Sequence, residues 1–232
     1  MGELQLDGSV FESSALFSGM DRAILDGLAR QCRLVQLKAG DILFRQGERT
    51  DGCYIVIDGV VSISAESEQN EETLLAMLSE GDVVGEMGLI DGQPRSATAA
   101  ALRACTLAFL STSNFNRFAE DNPVVYRQML AILSGRLRLS NDAFAAYLLL
   151  PLGGRLAHVL LQLADCLGHT LDDGRIIIRQ KLTQVELARM TGSSRENVNR
   201  LLNTWLKDRL ISRISSYYCL EQAEKLRDLA RV

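Results

Sequence analysis

The chain has 232 residues, 47% of them hydrophobic and 23% charged, with a formal net charge of −4. That balance belongs to an ordinary globular protein, and the length allows one large domain or two small ones. The opening MGELQLDGSVFESS has neither a basic segment nor an apolar run, so it is not a secretory signal, and no stretch reaches the ~20 apolar residues of a membrane span.

Residues 12–32 begin with a short helical pattern around DRAILDGLARQC. From Leu34 to about Leu110 the texture changes. Short β-branched runs (DILF, CYIVIDGVVSIS, TLLAML, DVVGEM, ACTLAFLS) alternate with Gly, Asp and Glu turns. Short strands at roughly 8–12-residue spacing predict a small antiparallel sandwich or barrel.

Inside this region lies GEMGLIDGQPRSATAA, residues 85–100. It is too apolar for an ordinary loop, yet it carries Glu86 and Arg95. Buried charge is costly without a partner. Arg95 can neutralise an anion with its planar fork, and Ser96 adds a hydroxyl donor. Gly85 allows close approach of backbone, and Glu86 can accept from a hydroxyl. Together they suit a small anion that carries hydroxyls. With no ligand bound, Glu86 and Arg95 are expected to pair with each other.

DNPVVYRQMLAILSGRLRLSNDAFAAYLLL reads as one long helix, capped by Asp121 or Asn122 with Pro123 in its first turn. Tyr126, Leu130, Leu133, Leu137, Ser140, Phe144 and Tyr147 recur at alternating spacings of four and three, the pattern of a coiled-coil seam. The expectation is a parallel homodimer; the alternative is that the stripe packs on the β domain, with part of it serving both. Ser140 falls on the seam and Asn141 stands beside it. A polar seam residue weakens a coiled coil while fixing its register, and these two can also hydrogen-bond a ligand held at a dimer interface. Pro151, Gly153 and Gly154 are expected to break the helix and form a hinge. A second helix, RLAHVLLQLADCL, follows, then a turn at LDDG and a short strand, RIIIR.

Residues 182–212, LTQVELARMTGSSRENVNRLLNTWLKDRLIS, carry the sharpest local signals. Thr183 with Glu186 three residues on is a capping box. Gly192 suits a left-handed turn, and Ser193 or Ser194 caps the next helix. Two short helices joined by such a turn form a helix-turn-helix. At ~100° per residue, with Arg195 as zero, Val198, Leu201, Leu202 and Trp205 fall between about −120° and −20°. Glu196, Asn199, Arg200, Asn203 and Lys207 fall between about +40° and +140°. One face is core and the other is rich in Arg and Asn. Arg can grip guanine O6 and N7 in bidentate fashion, and Glu can accept from cytosine N4. Residues 175–213 hold nine Lys/Arg against three acids, a net +6 that leaves −10 for the remainder. A basic segment on an acidic body is the footprint of a polyanion-binding module. EQAEKLRDLARV closes the chain as an amphipathic helix.

Here the sequence resembles the CRP/FNR family of bacterial transcription regulators over about residues 15–220, on GSSRENVNRLL and GEMGLIDGQPRSA. The resemblance implies an α+β fold with a cyclic-nucleotide-binding β-roll (a jelly roll) and its N-terminal helix over residues 1–121. A coiled-coil dimerisation helix over 122–150 and a winged helix-turn-helix over 151–232 would follow. It implies that Arg195, Glu196 and Arg200 read base edges in a TGTGA-like half-site, with Asn199, Ser194 and Lys207 completing the DNA contact. Two half-sites in a palindrome suit the dimer. It further implies an allosteric cyclic nucleotide held by Gly85, Glu86, Arg95 and Ser96. Arg136 would back Glu86 or else be a solvated side chain. Ser140 and Asn141 stand where relatives place a Thr-Ser pair against adenine. Cyclic AMP is the first choice, and cyclic GMP is an alternative or second ligand. RNA polymerase is an implied partner and a membrane is not.

Five scattered cysteines (Cys32, Cys53, Cys105, Cys166, Cys219) and two histidines, His158 and His169, offer no clustered set for zinc, an iron–sulfur centre or an obvious haem ligand. The expectation is reduced, mostly buried thiols in a cytoplasmic protein with no metal site. No paired carboxylates, nucleophile–base set or Walker loop marks an enzyme, and no catalytic residue is assigned. Two rivals stay open: a regulator of this type answering another ligand or none, and a cyclic-nucleotide module without DNA binding.

Overall fold

A computed structural model describes residues 6–66 and 72–231. The opening MGELQ, part of the segment read as no secretory signal, lies outside the described residues, as does Val232 at the end of the tail. The Cα positions cluster into two compact units, residues 1–136 and 137–232.

The first unit begins with two single 3₁₀ turns and α1 (Arg22–Ala29), so only part of the helical reading over 12–32 is regular helix. Arg22 ties this segment together by pairing with Asp7, Glu12 and Asp26. Eight strands follow: β1 (Arg33–Leu37), β2 (Ile42–Phe44), β3 (Gly52–Asp58), β4 (Val61–Glu66), β5 (Glu72–Leu78), β6 (Val83–Val84), β7 (Thr98–Ala101) and β8 (Cys105–Ser111). They form two antiparallel four-stranded sheets in the orders β1-β8-β3-β6 and β2-β7-β4-β5.

Strand side chains alternate between faces, and β3 shows the consequence. Tyr54 and Val56 join Phe44, Val61, Val84, Ala99 and Leu107 in a core drawn from both sheets. Cys53 and Ile55 face a second core built with Phe11, Phe17, Leu25, Phe115, Phe118, Val125 and Met129 from the helices. A strand buried on both faces reads as a continuous apolar run, which is why CYIVI shows no alternation. Burial raises the thiol pKa of Cys53 and pushes that of Cys32 up to about 12, so both stay protonated near neutrality. Cys32, Cys53, Cys105 and Cys219 form no disulfide.

Two helices of this unit were not read from the sequence. α2 (Glu86–Asp91) divides the run DVVGEM, which is strand only at Val83–Val84. α3 (Thr112–Asp121) takes Asp121 as its last residue, so Asp121 does not cap the long helix. That helix, α4 (Val124–Leu149), starts just after Pro123 and passes through the boundary between the units.

The second unit contains α5 (Leu152–Leu167), which buries Leu156, Ala157, Leu160 and Leu163. The chain breaks at Leu150–Pro151, with Pro151 as the N-cap of α5. The break falls where it was expected, but Pro151 alone makes it, since Gly153 and Gly154 lie inside the first turn of α5. β9 (Gly168–Thr170), β10 (Ile176–Ile178), α6 (Gln184–Thr191), α7 (Arg195–Lys207), β11 (Ile211–Ile214), β12 (Tyr217–Leu220) and α8 (Ala223–Leu229) complete the chain. The four strands form one antiparallel sheet, ordered β11-β12-β10-β9. No described helix is long and apolar enough to cross a membrane.

Candidate functional site

Gly85 opens the anion-seeking segment with φ +80° and caps α2. A Cβ there would lie 2.3 Å from Arg95 Nη1 and 3.2 Å from the Phe44 ring. Only glycine satisfies both the left-handed backbone and that approach.

Arg95 is buried, with its guanidinium 4.2 Å above the Phe44 ring centroid. Its Nη1 donates to Gly85 O at 2.9 Å and its Nη2 to Asp51 Oδ1 at 2.9 Å. Glu86 is also buried, and its Oε1 lies 2.5 Å from Arg136 Nη1. Arg136 also donates to Val83 O at 2.5 Å. The expected Glu86–Arg95 pairing is therefore not what forms. Each charge has its own partner, because the turn leading into β3 delivers Asp51 to Arg95 and α4 delivers Arg136 to Glu86. A buried ion lacking such a partner would cost several kcal/mol.

Glu86, Arg95 and Arg136, but not Asp51, border a cavity of about 340 Å³. Gly85, Glu86, Arg95, Ser96 and Arg136 line it on the polar side, and Phe44, Ile63, Leu75 and Leu78 on the apolar side. Ser96 is exposed, with its hydroxyl 3.5 Å from Met87 Sδ. A volume of a few hundred Å³ with few converging polar groups suits a small ligand. Arg95 and Phe44 also line a second, wider cleft of about 660 Å³, with Glu48, Arg49, Asp51 and Tyr54. Sequence reading found Arg136 but missed Asp51 and Phe44. Ser140 and Asn141 are exposed on α4, in the second unit.

In the second unit the capping box forms as read. Glu186 N donates to Thr183 Oγ1 at 3.1 Å, and Thr183 N donates to Glu186 Oε2 at 2.6 Å. Gly192 takes φ +59° at the end of α6. Ser194, rather than Ser193, caps α7 by accepting from Asn197 N. Val198, Leu202 and Trp205 are buried. Arg195, Glu196, Arg200, Asn203 and Lys207 are exposed. Asn199 is half-buried, and its Oδ1 accepts from Gln184 Nε2 and Asn203 Nδ2. Asn199 thus braces α7 against α6. β11 and β12 form a hairpin just after α7.

Comparison with known proteins matches both halves. Residues 34–122 fit the model of the cyclic nucleotide-binding domain, and residues 154–229 fit the Crp-like helix-turn-helix domain. The chain is 31% identical over 193 residues to the CRP-like cAMP-activated global transcriptional regulator of Mycobacterium tuberculosis, covering 83% of this chain and 86% of that one. A transcriptional regulator of the CRP/FNR family from Thermus thermophilus superposes with a TM-score of 0.72 at 26% identity, over 85% of this chain and 98% of that one. The c-di-GMP responsive global regulator CLP of Xanthomonas campestris superposes with a TM-score of 0.72 at 25% identity, over 87% and 100%.

Proposed function

Because the chain belongs to the CRP/FNR family of bacterial transcription regulators, on its CRP-like branch, we propose that it is a homodimer switched by cyclic AMP to bind a TGTGA-like palindrome. Members of this family are DNA-binding regulators rather than enzymes.

The observation that carries the ligand reading is the pair of buried, separately partnered charges facing one cavity. Arg95 takes the cyclic phosphate through its remaining N–H donors, aided by Ser96. Glu86, oriented by Arg136, accepts from the ribose hydroxyl. The apolar wall receives the sugar and base. Ser140 and Asn141, on the seam of a dimer, supply hydrogen bonds to the base edge. An asparagine amide both donates and accepts, so cyclic GMP is the second ligand to test. A regulator of this type answering another ligand or none is the alternative, and the c-di-GMP responsiveness of the Xanthomonas relative favours another ligand.

Ligand shifts a two-state equilibrium only through its differential affinity for the two states; a swing from 1:99 to 99:1 takes about 5.5 kcal/mol. Charged hydrogen bonds of about 1.5–3 kcal/mol each, in two sites per dimer, cover that range. On DNA, Arg195, Glu196 and Arg200 read bases, while Ser194, Asn199 and Lys207 hold the helix and the backbone. RNA polymerase is the downstream partner.

Calorimetric titration with cyclic AMP and cyclic GMP, with and without a palindromic duplex, tests the proposal. The expected result is saturable binding that the duplex tightens. R95A should lose it while keeping the wild-type circular dichroism spectrum. R95A binding either nucleotide at wild-type affinity would overturn the site.

A further inference from the structure

Arg95 does not stand in its pocket as a bare charge. Its side chain is 2% exposed and ion-paired to Asp51, whose side chain is 65% exposed. The two residues differ in which space they face. Arg95 and Phe44 line both the 340 Å³ cavity and the 660 Å³ cleft. Asp51 lines only the cleft. The guanidinium, stacked on Phe44, is shared by the two spaces.

Resting on the cyclic-nucleotide reading above, we propose that Asp51 is a counter-ion that sets ligand affinity by weakening the pull of Arg95 on the phosphate. A ligand in the cavity approaches the edge of the guanidinium away from Asp51, so it does not displace the carboxylate. It meets an Arg–Asp pair of zero net charge instead of a full positive charge. The fold gains a partner for a buried guanidinium, which is destabilising when left alone. The cost is a phosphate site of lower affinity, which places the response at higher nucleotide concentrations. Asp51 acts through Arg95 and touches no ligand.

An asparagine at position 51 keeps an oxygen that can accept from Nη2 but removes the charge, and a glutamate keeps the charge. The probes are cyclic AMP and cyclic GMP, titrated calorimetrically against wild type, D51N and D51E from low salt to 1 M salt. An exposed carboxylate is worth a modest Coulomb energy, so D51N should bind roughly threefold to fivefold tighter than wild type at low salt. The gain should shrink toward nothing at 1 M salt, where screening reaches about 3 Å. D51E should stay within about twofold of wild type. A purely structural role for Asp51 would not produce a gain that salt erases and glutamate restores. If wild type binds and D51N is equal or weaker, or if D51E gains as D51N does, the inference fails while the ligand reading stands. If wild type binds neither nucleotide, the ligand reading fails and takes this inference with it.

Discussion

Arg195 illustrates how one side chain acquires a role from its position. It is the first residue of α7, exposed, and directly follows the cap residue Ser194. The first turn of a recognition helix is the part that enters the major groove. Arg95, by contrast, is buried and held on three sides by Gly85 O, Asp51 and Phe44. The roles proposed for one residue type, base reader at position 195 and fixed cation at position 95, thus follow from burial and partners. R195A should weaken binding to the matched palindrome by about 1–3 kcal/mol and relax preference at one base pair per half-site. Fluorescence anisotropy on a panel of single-base variants reads both effects. Equal discrimination by mutant and wild type would remove Arg195 from the reading set.

At the scale of elements, the helix-turn-helix was legible because each of its signals is local. The Thr183–Glu186 box, the left-handed Gly192 and the Ser194 cap all act within four residues. A Cβ at Gly192 would sit 2.5 Å from the Tyr147 ring, so the tight turn is also a packing requirement. T183A should remove about 1 kcal/mol of stability from the second unit. Urea unfolding followed by the fluorescence of Trp205, the single tryptophan, buried on α7, measures it; an unchanged midpoint would mean that the box contributes nothing in context. The first unit was harder to read. α2 has six residues between two left-handed glycines, too few for a helical period to show. α3 had a signal in its Ser111 cap and in buried Phe115, Phe118 and Ala119, but strand texture precedes it and the long helix follows. The β texture of residues 34–110 was visible, and the sheet orders were not, because pairing is non-local. The same holds at the pocket. Glycines and charges marked the segment, while the partner of Arg95 comes from 44 positions away, a distance that residue spacing does not encode.

At the scale of the whole molecule, α4 poses the question of what covers it. Val125 and Met129 are buried in the first unit and Leu133 packs partly against that core. Of the other apolar positions in the stripe, Tyr126 meets the Phe115 ring edge-on and Tyr147 lies beside Gly192, while Leu130 and Leu137 are each 63% exposed and Phe144 65%. Exposed apolar side chains aligned on one helix face mark an interaction surface. A second copy of the same helix is the occupant that matches a seam spacing of four and three. DNA adds a reason, because a palindrome presents the same half-site twice and a two-fold dimer can engage both. Linking two modest half-site contacts raises overall affinity by roughly 10²–10⁴ without any new contact. L137E would place two like charges across the middle of that seam. We expect it to sediment as a monomer at micromolar concentration, to keep its circular dichroism spectrum, and to bind the full palindrome only as well as a single half-site. A folded L137E that still sediments as a dimer would place the self-association surface elsewhere, and the exposed stripe would need a different partner.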